Sequence, residues 1–286
     1  MTLAAWQAQI TTSTGATLLI GAGTSYRWAV MPTGFGIPEL EAPRGKAAGV
    51  DGQFATGPDT VLNRFVEFDL HILGDTIADL ETKANALKAA FAPTRTGTVT
   101  LELRLGGSTG YIIRGRPAGC EIDLRLHPQG SVARALVRFS GLDPRLLDEA
   151  VAAYLLTIPL PGAGLTFNAT ANFNFGGGDV GQTSVVNIGD GVDADWTITL
   201  VGPLTDPAIG HIETSTTLDL TGSIAAGETL VLDSYTKSVL LNGTSSRYSW
   251  LSDTSRWFTL APGANTLTLR ATGSGSGVIS FRSARL

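Results

Sequence analysis

This sequence predicts a mainly β protein of two domains, antiparallel in both, with a single helix. Three observations lead there. Short runs of alternating apolar and polar residues recur along the chain, each closed by Gly, Asn, Asp or Pro, as antiparallel strands and their turns require. One stretch alone, about residues 75–92, spaces its apolar residues by three and four, the period of a helix face. Charge also shifts along the chain: residues 1–146 hold 14 basic and 13 acidic side chains, residues 147–286 hold 6 and 12. Domains are therefore expected at 1–146 and 147–286.

A chain of 286 residues suffices for two ordinary domains, and 43% apolar residues with a net charge of −5 exclude a disordered tail. No apolar run approaches the ~18 residues a membrane span needs, so no membrane insertion is expected. The N-terminal MTLAAWQAQITTSTG lacks a basic leader region, so folding in a cytoplasm is expected. One cysteine, Cys120, excludes an internal disulfide framework. It alternates with Ile122, Leu124 and Leu126 and reads as a buried structural thiol. Neither half carries the clustered basic stripe of a nucleic-acid-binding surface, so any DNA contact would be passive.

Strands are expected at Trp6–Ile10, Ala16–Ile20 and Tyr26–Val30. The stretch Met31–Val61, with Pro32, Pro38 and Pro43, reads as a long excursion with a hairpin tip within Lys46–Pro58; loops of that length usually have a task. Arg64–Leu73 is the clearest strand, with Val66, Phe68, Leu70 and Ile72 on one face and Glu67, Asp69 and His71 on the other. Gly74 ends it. Thr76 and Asp79 then form a capping-box pattern, and Ile77, Leu80, Ala84, Leu87 and Phe91 make one apolar stripe that Pro93 closes. Four strands follow, Thr98–Leu105, Tyr111–Pro117, Cys120–Leu126 and Ala133–Ser140, with reversals at Gly106-Gly107 and Gly119.

Leu146–Leu156 is readable as a short helix or a linker strand, and Leu165–Phe175 as a strand before the turn Gly176–Gly178. Nine short strands are expected after that: Ser184–Ile188, Asp195–Val201, Ala208–Glu213, Thr216–Leu220, Glu228–Asp233, Ser238–Leu241, Arg256–Leu260, Asn265–Arg270 and Val278–Arg282. Turn signals at their ends indicate an antiparallel sandwich.

No chemistry assembles from these residues. His71, His127 and His211 lie in separate segments, with no metal-ligand spacing. Asp190, Asp193 and Asp195 start like a calcium loop but lack its following glycine and distant glutamate, and read as a turn. Glu67/Asp69 and Glu121/Asp123 share strand faces, as any solvent-facing strand allows, with Arg104, Arg114, Arg116 and Arg125 available to neutralise them. No catalytic, cofactor or metal residue is assigned. Trp196 and Trp257 read as sandwich core; Trp250, in SSRYSWLSDTSR, is the candidate exposed ring for sugar contact.

The ordered phrases of the second half are Asn187-Ile-Gly-Asp, Asp195-Trp-Thr-Ile-Thr-Leu-Val-Gly-Pro, Ala226-Gly-Glu-Thr-Leu-Val-Leu-Asp-Ser, Ser238-Val-Leu-Leu-Asn-Gly and Trp257-Phe-Thr-Leu-Ala-Pro-Gly-Ala-Asn. They resemble the C-terminal half of siphovirus distal tail proteins. The strand from Arg64 before a helix, and the close in Phe139-Ser-Gly-Leu-Asp-Pro-Arg, resemble that family's N-terminal ring domain. The resemblance implies a β-barrel-like N-terminal domain with one helix and a galectin-like C-terminal sandwich. It implies a virion structural protein at the distal end of a long non-contractile tail, a homohexameric ring joining the tail tube to the tail tip. Its partners would be further copies, the tube protein, and tail-tip and receptor-binding proteins, with DNA crossing the lumen unbound. Phe65, Glu67, Asp69 and His71 are the candidate ring-interface residues. The rival expectation is a carbohydrate-binding module for host cell-wall sugars.

Overall fold

The alternation along Arg64–Leu73 folds as a strand over those same residues, with Val66, Phe68, Leu70 and Ile72 fully buried. The computed structural model describes residues 3–12, 14–45, 54–94, 97–107, 109–123, 131–158 and 181–286. Their contacts divide the chain into two compact units, Met1–Ala150 with Arg285–Leu286, and Val151–Ala284.

The first unit holds strands β1 (Gln7–Thr11), β2 (Thr17–Gly21), β3 (Tyr26–Trp28), β4 (Leu40–Glu41), β5 (Arg44–Gly45), β6 (Phe54–Ala55), β7 (Thr60–Val61) and β8 (Arg64–Leu73). Helix α1 (Ile77–Ala90) follows, then β9 (Val99–Arg104), β10 (Gly110–Asp123), β11 (Val132–Gly141) and β12 (Leu146–Asp148). Hydrogen bonds order the main sheet β2-β1-β9-β10-β11-β8-β3. The two end strands, β2 and β3, are consecutive in the chain and pack side by side, so the sheet nearly closes as a barrel. Helix α1 lies on the core face against β2, β8 and β10.

Thr76 caps α1 as expected: its hydroxyl accepts from the Asp79 N–H at 3.1 Å, and the Asp79 carboxylate accepts from the Asp75 N–H at 2.8 Å. Leu80, Ala84, Leu87, Ala90 and Phe91 are buried. Ile77, expected in the stripe, is 58% exposed; it opens the first turn, and the buried face begins only at Leu80.

Gly119 is not a reversal. β10 runs straight through it, and its register against β11 shifts between Pro117 and Gly119. One extra residue absorbed there exchanges the faces of the strand. Odd-numbered Ile113 points to the core before the shift, even-numbered Cys120 and Ile122 after it. Pro and Gly mark bulges as readily as turns, and the sequence alone does not separate the two. Leu124 and Leu126 lie outside the described residues.

The Met31–Val61 excursion is more regular than expected. β4 pairs with β7 and β5 with β6, making a two-stranded arm. Residues 46–53, in the expected tip, lie outside the described residues.

The second unit contains β13 (Ala152–Thr157), β14 (Gly181–Asn187), β15 (Trp196–Val201), β16 (Leu204–His211), β17 (Thr216–Asp219) and β18 (Ser223–Ile224). It continues with β19 (Thr229–Asp233), β20 (Ser238–Leu241), β21 (Ser245–Ser246), β22 (Gly263–Gly273) and β23 (Ser276–Phe281). One sheet runs β13-β23-β15-β19-β20-β21, the other β14-β22-β16-β17 with β18 on β16. Buried Ile198, Leu200, Leu232 and Ile279 of the first sheet face buried Val185, Ile209, Leu218 and Leu269 of the second across a sandwich core. The last strand, β24 (Ala284–Arg285), pairs with β12, and Arg285 meets Asp148 at 3.2 Å.

Leu146–Leu156 supplies two strands, β12 and β13, and no helix. Arg256–Leu260 is not a strand; Leu260 makes one bridge to Ala194. The expected core residue Trp257 is half-buried and stacks on Trp196 at 5.9 Å, while Phe258 and Leu260 take the buried positions. Trp196 is buried as expected, its indole N–H donating to the Phe258 carbonyl at 3.0 Å. The 165–178 segment lies outside the described residues.

Candidate functional site

The four candidate interface residues share the outer face of β8. Phe65 is 57% exposed, and His71 is exposed. Glu67 pairs with Arg138 at 2.8 Å, directly across on β11. Asp69 receives both arms of the Arg134 guanidinium, Nε at 2.8 Å. That hydrogen bond, with the charge of Arg134 behind it, holds the Asp69 carboxyl below its ordinary value and raises Arg134. β8 is not an edge: β11 flanks it along its length and β3 along part of it, with Thr33 bridging to Glu67 beyond β3. What β8 leaves exposed is therefore its outer face rather than a free edge. Alternation reveals which side chains face water; it carries no information on a strand's neighbours.

Arg64, at the head of β8, was not singled out from the sequence. It is 2% exposed, and its guanidinium donates to the carbonyls of Gly34 (2.6 Å), Gly36 (2.8 Å) and Pro144 (2.9 Å). Burial lowers its pKa. It ties the root of the β4–β7 arm to the end of β11's exit. The legible signal is phase: Arg64 stands in the inward register of Val66 and Phe68.

The arm and its approach carry the exposed apolar side chains Val30, Met31, Ile37, Leu40 and Leu62, with Phe65 just beyond. Beside β3, a cleft of about 420 Å³ is lined by Trp6, Arg27, Trp28, Val30 and Met31.

Trp250 sits in a 3₁₀ turn, Tyr248–Trp250, and is half-buried. Gly222 packs against its ring so closely that a Cβ would come within 2.6 Å, and the Arg247 guanidinium lies 5.6 Å from the ring centre. Its ring is thus engaged within the chain. A polar groove of about 350 Å³ lies elsewhere, across β14, β22, β16 and β17. Gln182, Thr268, Gly210 and Thr217 form one row of it, with Arg270 and Asp219 flanking Ala208 in the next.

His211 is buried between Thr214 (2.7 Å) and Asn265 (3.1 Å) and stacks on Phe258 at 4.9 Å. His71 stands on another unit, and His127 is outside the described residues. Asp193 accepts from the Thr259 hydroxyl at 2.6 Å. Among the described residues no group of three or more His, Cys, Asp or Glu side chains could hold a metal. Gly106–Gly110 has G-x-S-x-G spacing, but it joins strands β9 and β10, where a nucleophile elbow needs a strand-to-helix turn. Cys120 is half-buried, and burial raises its thiol pKa.

The described residues thus build a nearly closed β-barrel bearing a helix and an arm, followed by an antiparallel sandwich. Residues 191–284 match the family model described as the siphovirus-type tail component, C-terminal domain. The fold of both units is that of the Dit protein of phage SPP1, described as a paradigm of hub adsorption apparatus in phages infecting Gram-positive hosts. The TM-score is 0.65 at 18% identity, over 91% of this chain and 94% of that one. A chain of the phage P2 baseplate, in its activated conformation with calcium, matches with a TM-score of 0.56 at 10% identity, over 96% and 97% of the two chains. The strontium form of that baseplate gives the same values. No curated protein matched the sequence.

Proposed function

We propose that this chain is the distal hub of a long non-contractile phage tail. Six copies form a ring through the first unit, which joins the tail tube to the tail tip; the second unit anchors host-recognition proteins. The observation that carries this reading is the near full-length correspondence of both units, in the same order, with the SPP1 Dit hub protein, together with the family match in the second unit. The exposed apolar arm and the outer face of β8, with Phe65, Glu67, Asp69 and His71, are the surfaces available for ring and tube contacts. DNA passes through the lumen without specific recognition, consistent with the absence of a clustered basic stripe in the sequence. Electron microscopy of virions with antibody against this chain tests the reading. Label at the tip end of the tail, and rings of the purified chain, are expected; label along the tube, or a strict monomer in both settings, overturns it.

A carbohydrate-binding module is the second reading, and the observation in its favour is the polar groove across β14, β22, β16 and β17. Arg270 and Gln182 there have no side-chain partner among the described residues. On that reading, glycan-array binding is lost in Arg270→Ala and retained in Trp250→Ala. No binding by the unaltered chain leaves the hub.

A further inference from the structure

The outer face of the five-stranded sheet in the second unit is hollowed, and small residues make the hollow. Ala208 and Gly210 on β16 stand in register with Arg270 and Thr268 on β22, and with Asp219 and Thr217 on β17. Gln182 on β14 stands across from Thr268. Leu267 and Leu269 are buried in the sandwich core, so alternation turns Thr268 outward. Yet Thr268 is only 8% exposed. An outward residue so well covered lies on the floor of a depression, here the groove of about 350 Å³.

The Thr268 hydroxyl has no hydrogen-bond partner among the described residues. It lies over the bare Cα of Gly210, where a Cβ would come within 2.5 Å of Oγ1. A buried hydroxyl left unpaired costs stability, and a valine of the same shape would avoid that cost. The chain nonetheless keeps a polar group at the floor, with a glycine leaving space above it. Arg270, exposed at the wall, is likewise without a side-chain partner among the described residues. Residues 147–286 hold 12 acidic side chains against 6 basic ones, yet no carboxylate meets this guanidinium. Asp219 lies in the same row but two strands away, about 9–10 Å across Ala208. Its carboxylate accepts instead from the Thr217 hydroxyl at 3.0 Å. No Trp, Tyr or Phe lines the groove. A ligand seated there is met by hydroxyl, amide, carboxylate and guanidinium groups around a small floor.

Resting on the carbohydrate-binding reading of this groove, we propose that its ligand is an acidic saccharide, a sugar that bears a phosphate or a carboxylate. The planar guanidinium of Arg270 takes the oxyanion through two parallel N–H bonds. The Thr268 hydroxyl and the Gln182 amide meet sugar hydroxyls over the floor, and the Asp219 carboxylate accepts from hydroxyls on the far side. Charge fixes this order, because an oxyanion placed beside Asp219 would be repelled. A neutral sugar leaves Arg270 unused, and a bare oxyanion leaves Thr268 and Asp219 unused.

The full chain, tested on an array of neutral, carboxylated and phosphorylated saccharides, is expected to bind only acidic members, and which of the two acidic sets it binds identifies the oxyanion. Arg270→Gln is expected to weaken that binding more than about tenfold, and Thr268→Val about fivefold. Thermal unfolding separates recognition from structure. Thr268→Val should melt at or above the temperature of the unaltered chain, since the hydroxyl it removes is unpaired. Neutral saccharides bound as tightly as acidic ones, or binding unmoved by Arg270→Gln, overturns the acidic ligand while the groove still binds sugar. Intact binding in a destabilised Thr268→Val makes that hydroxyl structural and overturns its role here. If no saccharide binds, the carbohydrate-binding reading falls and this ligand with it.

Discussion

Arg64 shows how much one side chain can decide. Its guanidinium, itself buried, donates to three carbonyls from two distant loops, and replacing it removes all three part-buried hydrogen bonds at once. Arg64→Met is expected to cost about 3 kcal/mol in denaturant unfolding. Arg64→Lys should recover little, because an ammonium cannot reproduce the planar fork. Asp69 carries the pH dependence of β8's outer face. Arg134 holds its carboxyl below the ordinary value, so the pair stabilises the fold above the unfolded carboxylate's pKa of about 4 and loses that contribution as pH falls through the lowered folded value. In Arg134→Ala the Asp69 pKa should rise toward the ordinary value, as carbon-detected NMR titration would show. The alternation made Asp69 and Glu67 legible as outward residues. Their partners were not, because the choice of β11 as neighbour depends on sheet order.

At the scale of elements, α1 is the best-specified piece. Its cap, buried stripe from Leu80 and end before Pro93 all follow from local spacing. Thr76→Ala removes the hydroxyl that accepts from Asp79 and is expected to cost about 1 kcal/mol, measured as a shift in the denaturation midpoint. β10 is the opposite case. Its two apolar phases read as two strands because the periodicity breaks at Pro117–Gly119, and the bulge that joins them appears only against β11's register. The arm was legible only as an excursion. Its paired rungs, β4 with β7 and β5 with β6, are too short to show a period in the sequence.

At the scale of the molecule, the two units have separate cores, one gathered under α1 and one around Trp196. Trp196→Ala removes a fully buried ring and its hydrogen bond and is expected to cost about 3–5 kcal/mol. Calorimetry should show that loss in the second unit's transition alone, with self-association of the full chain unchanged. A fall in self-association would mean that the second unit helps to build the ring. The candidate functional surfaces follow the same division, with arm, cleft and β8 face on the first unit and the polar groove on the second.

The sequence by itself determined the mainly β class, helix α1 with its cap, the inward face of β8 and the burial of Trp196. Each is a local matter, settled by the period of apolar residues and the chemistry of turns. Its ordered turn phrases also pointed to the tail-component family. The tertiary structure alone decided that β8 is an interior strand, that Arg64 ties down the arm, that Phe258 displaces Trp257 from the core, and that Trp250 is engaged by Gly222 and Arg247. Those depend on which segments, far apart in the chain, become neighbours. Side-chain period cannot encode that, because every half-exposed strand shows the same alternation whatever lies beside it.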